Sequence, residues 1–296
     1  APVTGQEAIG TAIGHALASE DVFVPYYRDY ATQLQRGVQL SEILAYWGGD
    51  ERGSQFQHNT QDFPICVPIA SQCLHAAGVA FAFRHRQQPR VALVCIGDGG
   101  TSEGDFYEAI NVAGAWRLPL VFVINNNQWA ISVPLSQQTA AQTLAQKAIA
   151  AGFTGEQVDG NDVIACRHVI GNAIEKARQG GGPALIEALS FRLSDHTTAD
   201  DASRYQPAAA IEAAKPKEPV HRLKQFLTHT HAWTEADDQA LYHACHQHLE
   251  AEVARYLKTT PQSVSSLFDT HFATRPAYFI EQRATALEEE ARTHVS

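Results

Sequence analysis

The sequence is short of positive charge, has no methionine, and contains no apolar run of the roughly 18–20 residues that span a bilayer. Lys and Arg number 22 against 32 Asp and Glu, a formal net charge of −10. That balance argues against a nucleic-acid surface, because phosphate backbones select basic stripes. No secretory leader is visible, and without a spanning segment the chain is expected to have no membrane role. Five cysteines (Cys66, Cys73, Cys95, Cys166 and Cys245) form an odd, widely spaced set with no CxxC pair. They argue against a disulfide framework and predict reduced thiols in a cytoplasmic protein. No GxxxxGK[ST] motif occurs, which removes P-loop ATPases and kinases. Average usage predicts about half a dozen methionines at this length. Their absence, and a start at Ala1 without an initiator, lead us to expect that an N-terminal segment and some methionines are missing from the sequence; an intact mass settles the latter.

What is present describes a globular chain. At 296 residues, 45% hydrophobic and 18% charged, it is long enough for one large α/β domain or a domain with a helical appendage. Thr4-Gly5-Gln6-Glu7 reads as a capping box, followed by a helical stripe of Ala8, Ile9, Ala12, Ile13, Ala16 and Leu17. Val22–Val24 is a short strand stopped by Pro25; residues 30–36 and 40–47 are expected to be helical, each ended by glycine. The polar stretch 49–66 is a loop long enough to suspect function, and 69–86 is an alanine-rich helix.

Val91–Ile96 and Leu120–Ile124 are fully apolar strands separated by a Gly-rich turn and a helix over about 103–116. Continuous apolar strands alternating with helices predict a parallel sheet covered on both faces. A helix over 139–151, a strand near Gln157-Val158, a helix over 162–179 and the strand Ala184–Leu189 continue the pattern. The fold class is therefore α/β, a doubly wound parallel sheet, and such sheets bind ligands at the carboxyl ends of their strands. After about residue 207 the strands stop, and residues 219–292 read as helices punctuated by Pro261 and Pro276. The expected organisation is a ligand-binding α/β domain over 1–207 and a helical C-terminal extension over 208–296.

The first apolar strand ends in Gly97-Asp98-Gly99-Gly100-Thr101-Ser102-Glu103-Gly104, the next in Asn125-Asn126-Asn127-Gln128-Trp129. The glycines allow a ligand close to the backbone, and free amides at the following helix start suit a phosphate. Adjacent parallel strands would place Asp98 and Asn127 side by side, where a carboxylate and an amide oxygen form half a shell for Mg²⁺. Singly, each motif reads as a tight turn; at consecutive strand ends they read as one site.

Gly97-Asp98-Gly99, 26 further residues and then Asn126-Asn127 match the thiamine-diphosphate signature, and the run from Gly97 to Ser132 resembles the alpha subunits of the thiamine-diphosphate-dependent 2-oxo acid dehydrogenases. The likeness extends to Gly5–Ala8, Tyr26–Asp29, Val158–Gly160 and His196–Asp201, nearly the whole chain. The resemblance implies thiamine diphosphate and Mg²⁺ as cofactors, with Asp98, Asn127 and the carbonyl of Trp129 ligating the metal. Gly99 and Gly100 would offer amides to the diphosphate, Tyr27 and Arg28 would contact it, and Val67 and Ile69 would line the pocket around the rings. His196 matches the histidine on the loop over the active site, where it would hold a phosphate or the reacting acyl group. His58 is a lesser candidate, and Thr197 stands where relatives carry a regulatory phosphoserine, a regulation we do not transfer.

By the same resemblance the reaction is oxidative decarboxylation of a small 2-oxo acid, with acyl transfer to the lipoyl domain of a dihydrolipoyl acyltransferase. The chain carries no second run of apolar strands for a pyrimidine-binding domain. The resemblance therefore implies a beta subunit that donates the essential glutamate, in an α₂β₂ heterotetramer. Pyruvate is the favoured substrate, branched-chain 2-oxo acids and acetoin the alternatives, and a non-catalytic paralogue that binds the cofactor the reading of a different class. His229, His231, His243, His246 and His248 lie in the helical tail without zinc spacing and are expected to face solvent.

Overall fold

Strands buried on both faces order the fold, in a computed structural model that describes residues 1–293. In chain order the elements are α1 (Glu7–Ala16), β1 (Val22–Val24), α2 (Tyr30–Gln35), α3 (Leu40–Trp47), α4 (Ser71–His85), β2 (Ala92–Gly97), α5 (Gly104–Ala115) and β3 (Leu120–Asn126). The small strands β4 (Trp129–Ala130) and β5 (Val133–Pro134) precede α6 (Leu135–Gln138), α7 (Lys147–Ala150), β6 (Gly155–Asp159), α8 (Val163–Arg178) and β7 (Ala184–Leu189). Five strands form a parallel sheet in the order β1-β2-β3-β7-β6, the doubly wound α/β class expected. The later elements are all helical: α9 (Ala208–Ala214), α10 (Pro219–Thr230), α11 (Glu235–Leu257), α12 (Ser266–Asp269) and α13 (Ala277–Thr293).

The period of two along each strand divides the interior into two cores. Ala92, Val94 and Ile96 of β2, with Leu120, Phe122 and Ile124 of β3, meet α4 and α5 on one face. Leu93, Cys95, Val121 and Val123 meet α1 and α8 on the other. Burying each large aliphatic chain, such as Leu93 on β2 or Ile124 on β3, contributes roughly 1.5–3 kcal/mol relative to exposure. All five cysteines are free, with Cys95 and Cys166 buried. Among the described residues no helix is long and apolar enough to cross a membrane.

Two local expectations need correction. Thr4 does not cap α1: its carbonyl accepts the Leu193 amide (3.3 Å), the N-cap is Gln6, and the Glu7 carboxylate accepts from Gly5 (2.9 Å). Close packing explains this, since a Cβ on Gly5, which is left-handed at φ +89°, would lie 2.4 Å from the Phe191 carbonyl. The single helix expected over 139–151 is instead a non-helical stretch after α6, a 3₁₀ turn over Leu144–Gln146 and the short α7. The Thr139 hydroxyl takes the Ala141 amide (3.2 Å) and the buried Glu187 takes the Ala145 amide (3.0 Å), both in competition with helical bonding.

The helical tail is tied to the sheet domain by charge. Glu252 of α11, 2% exposed, accepts the Ser41 amide at the start of α3 (2.9 Å). Arg222 of α10 pairs with Asp159 (2.5 Å) and Asp162 (3.1 Å) at the end of β6.

Candidate active site

The register that pairs Gly97 with Asn125 brings the Asp98 turn and the Asn127 loop to the same carboxyl edge of the sheet. They wall an open cleft of about 230 Å³. Tyr27, Arg28, Val67, Ile69, Asp98, Gly99, Gly100, Asn127, Trp129 and His196 all line it, whereas Thr197 and the lesser candidate His58, which is exposed, do not.

Asp98 is 1% exposed and opens a 3₁₀ turn over Gly99–Ser102. Its Oδ2 is buried with no hydrogen-bond partner. Burial pushes its pKa up from 3.8 to about 6, against the opposing pull of its own amide, the Arg192 charge and the Asn127 and Gly99 amides. An unpartnered buried carboxylate oxygen is costly unless a cation or donor meets it. The neighbours suit a cation that prefers oxygen: the Asn127 amide is buried at the same edge, and the Gln138 Oε1 is also without a partner. No group of three or more His, Cys, Asp and Glu side chains fit to hold a metal occurs among the described residues. Any metal here would rest on one carboxylate with amide and carbonyl oxygens.

Glycine is required at the next two positions. A Cβ on Gly99 would lie 2.8 Å from Ala130 Cβ, and one on Gly100 2.6 Å from Ile96 Cγ1 and 3.2 Å from Ile69 Cγ2. The opposite wall turns through left-handed residues, Gln128 at φ 73° and Ile131 at φ 54°, an uncommon conformation for side chains of this size. Asn127 sets that wall: its Nδ2 donates to Gln6 Oε1 (3.0 Å) and its Oδ1 accepts the Trp129 amide (3.1 Å).

Arg28 is buried and donates to the Pro2 carbonyl, to His196 Nδ1 (3.0 Å) and to the His196 carbonyl (2.8 Å). Its guanidinium lies over the Tyr27 ring, 5.2 Å from the centroid. Arg192 approaches the same Nδ1 (3.4 Å) and also donates to the Ile131 carbonyl (2.9 Å) and the Tyr205 hydroxyl (2.6 Å). Tyr205 in turn donates to Asp200 (2.5 Å), which accepts the His196 amide (2.7 Å). Burial, then the charges of Arg28 and Arg192, lower the His196 pKa from 6.5 to about 4. The imidazole is neutral near pH 7, and two guanidinium donors at Nδ1 assign its proton to Nε2.

Sequence reasoning missed Arg192, which is fully buried, as well as Gln72, Glu103 and Gln138, which line the cleft, and Gln6, which holds Asn127. No local pattern marks them; only Arg192, close to His196 after a strand, carried a usable hint. The histidines of the tail are exposed, and His246 pairs with Glu250 at 3.3 Å.

The family model described as dehydrogenase E1 component matches residues 1–264. The pyruvate dehydrogenase E1 component subunit alpha of Mycoplasma genitalium is 38% identical over 286 residues, covering 97% of this chain and 80% of that one. The proteins of the same name from Staphylococcus aureus and Staphylococcus epidermidis are 39% and 38% identical over 293 residues, covering 99% of this chain and 79% of theirs.

Proposed function

The chain belongs to the dehydrogenase E1 component family, the thiamine-diphosphate-dependent decarboxylating component of 2-oxo acid dehydrogenases, and we propose that it is the alpha subunit of the pyruvate-type enzyme. The substrate reading rests on relatives that carry that name along almost the whole chain. The observation that carries the site reading is that the ten residues implied by the resemblance line one cleft whose buried carboxylate lacks a partner.

Thiamine diphosphate, when bound, supplies the electron sink that lets a 2-oxo acid lose CO₂. Asp98, Asn127 and the Trp129 carbonyl would hold Mg²⁺, whose preference for oxygen suits this donor set. The amides of Gly99 and Gly100 would meet the diphosphate, with Tyr27 and Arg28 beside it. Val67 and Ile69, about half exposed at the lip, would keep water from the cofactor rings. His196 would present Nε2–H to a phosphate or to the acyl oxygen, with Nδ1 held by the two arginines. The cleft remains open along that apolar lip, which supports a beta subunit that closes it and brings the glutamate for proton chemistry. Assembly as α₂β₂, acyl transfer to a lipoyl domain, a cytoplasmic location and the division into 1–207 and 208–296 belong to the same proposal.

Dichlorophenolindophenol reduction by the complex of this chain with its beta subunit, with pyruvate, 3-methyl-2-oxobutanoate and acetoin side by side, tests it. Preference for pyruvate and dependence on the beta subunit are expected. Robust decarboxylation by the single chain would overturn the shared-site reading, and preference for another substrate would overturn the pyruvate assignment.

A further inference from the structure

Lys147 is 7% exposed, at the start of α7, in the segment where a long helix was expected. No carboxylate among the described residues is in ion-pair range of it. Its Nζ donates instead to the Thr101 carbonyl (2.6 Å) and the Thr101 hydroxyl (2.9 Å), and lies 5.1 Å from the centre of the Tyr107 ring. The Thr101 hydroxyl, fully buried, in turn donates a hydrogen bond to the Asp98 carbonyl (2.7 Å). A chain of two hydrogen bonds therefore runs from a buried ammonium to the backbone of Asp98, along the back of the Gly99–Ser102 turn. Glu187 steadies the approach: one oxygen takes the Ala145 amide (3.0 Å) and the other the Asn126 side chain (2.7 Å).

A buried charge without a counter-ion is costly, and an apolar side chain of similar size would serve packing alone at least as well. We propose that Lys147 is a positioning residue for the metal–diphosphate site: it holds the Asp98–Thr101 turn through Thr101 and sets a positive charge behind the glycines that would cradle the anion. This rests on the cleft being the thiamine diphosphate site. Partners one layer behind metal ligands typically change affinity by about 10–100-fold when removed.

The test is calorimetric titration of Mg²⁺-thiamine diphosphate into the α–β complex carrying Lys147→Met, Lys147→Arg, Thr101→Val or Asp98→Ala. Lys147→Met is expected to raise the Kd roughly tenfold or more, leave the 2-oxo acid KM unchanged at saturating cofactor, and keep or raise the cofactor-free melting temperature. Lys147→Arg, which keeps charge and donors, is expected to recover most of the affinity. Cofactor affinity within twofold of the parent in a folded Lys147→Met protein, while Asp98→Ala loses binding, overturns the role of Lys147. Should Lys147→Met not fold, Thr101→Val decides: a raised Kd supports the relay and parental affinity overturns it. Undiminished binding by Asp98→Ala would overturn the reading of the cleft itself.

Discussion

Replacing Asp29 by asparagine should stabilise the protein, and increasingly so as pH rises. Asp29 is buried beside Cys95, and one oxygen accepts the Tyr26 amide at 2.8 Å. Burial pushes its pKa from 3.8 to about 8, only partly opposed by the Tyr26 amide and the Cys95 thiol. Because the folded value is raised, the folded state holds a proton between pH 3.8 and about 8 that the unfolded chain has released. Stability conferred by the neutral carboxyl is thus whole below pH 3.8 and falls as pH rises, levelling off above about 8. At about 1.36 kcal/mol per unit, the loss is on the order of 1–2 kcal/mol at pH 5 and 4 kcal/mol at pH 7. The side-chain amide of the Asp29→Asn variant keeps a carbonyl for the Tyr26 amide and does not ionise. Melting temperatures of parent and variant, compared at one protein concentration across pH 5–8, should diverge by several degrees, since each kcal/mol is worth about 2 °C in a chain of this size. A gap that stays flat with pH, or a variant less stable throughout, would refute the argument.

Arg192→Met should raise the His196 pKa from about 4 toward 6.5, stopping short because burial and Arg28 remain; a value still near 4 by NMR titration would contradict the role given to Arg192. Gly100→Ala, whose methyl would meet Ile96 at 2.6 Å, should cost about 1–3 kcal/mol and weaken thiamine diphosphate binding, both read by calorimetry. Arg178→Met should cost about 1–3 kcal/mol in urea unfolding, because Asp21, 0% exposed, loses its two-pronged partner at 2.8 Å and keeps only the Ala18 and Val91 amides. Its turnover at 25 °C should match the parent, since the pair lies outside the cleft.

The parts of the fold legible in the sequence are those set by local period. The two apolar strands could only be central, and their adjacency then placed Asp98 and Asn127 together across 29 residues of chain. Pattern failed where a distant partner overrode local geometry. Glu187 draws the Ala145 amide out of a helix, and Leu193 takes Thr4 away from a cap. Gln6 reaches Asn127 from 121 residues away, and Arg192 reaches Ile131 from 61. Such polar contacts have no period, so residue type and spacing cannot announce them.

The pairing of buried and half-buried cations separates support from function. Arg36 is matched by Asp62 at 2.5 Å and Arg178 by Asp21 at 2.8 Å, the latter where Asp21 also takes the Val91 amide at the entry to β2. Arg28, Arg192 and Lys147, gathered around the exit of that strand, have no ion pair among the described residues and donate to carbonyls, hydroxyls and an imidazole. Charges left without counter-ions are tolerated where an anion completes them, and interior fields are weakly screened. A chain with net charge −10 thus keeps a locally positive lining where the diphosphate is proposed to sit. If that lining serves the anion, inorganic pyrophosphate with Mg²⁺ should raise the melting temperature of the parent, and the gain should shrink in Lys147→Met and Arg28→Met. An equal gain in all three proteins would show that these cations answer to packing alone.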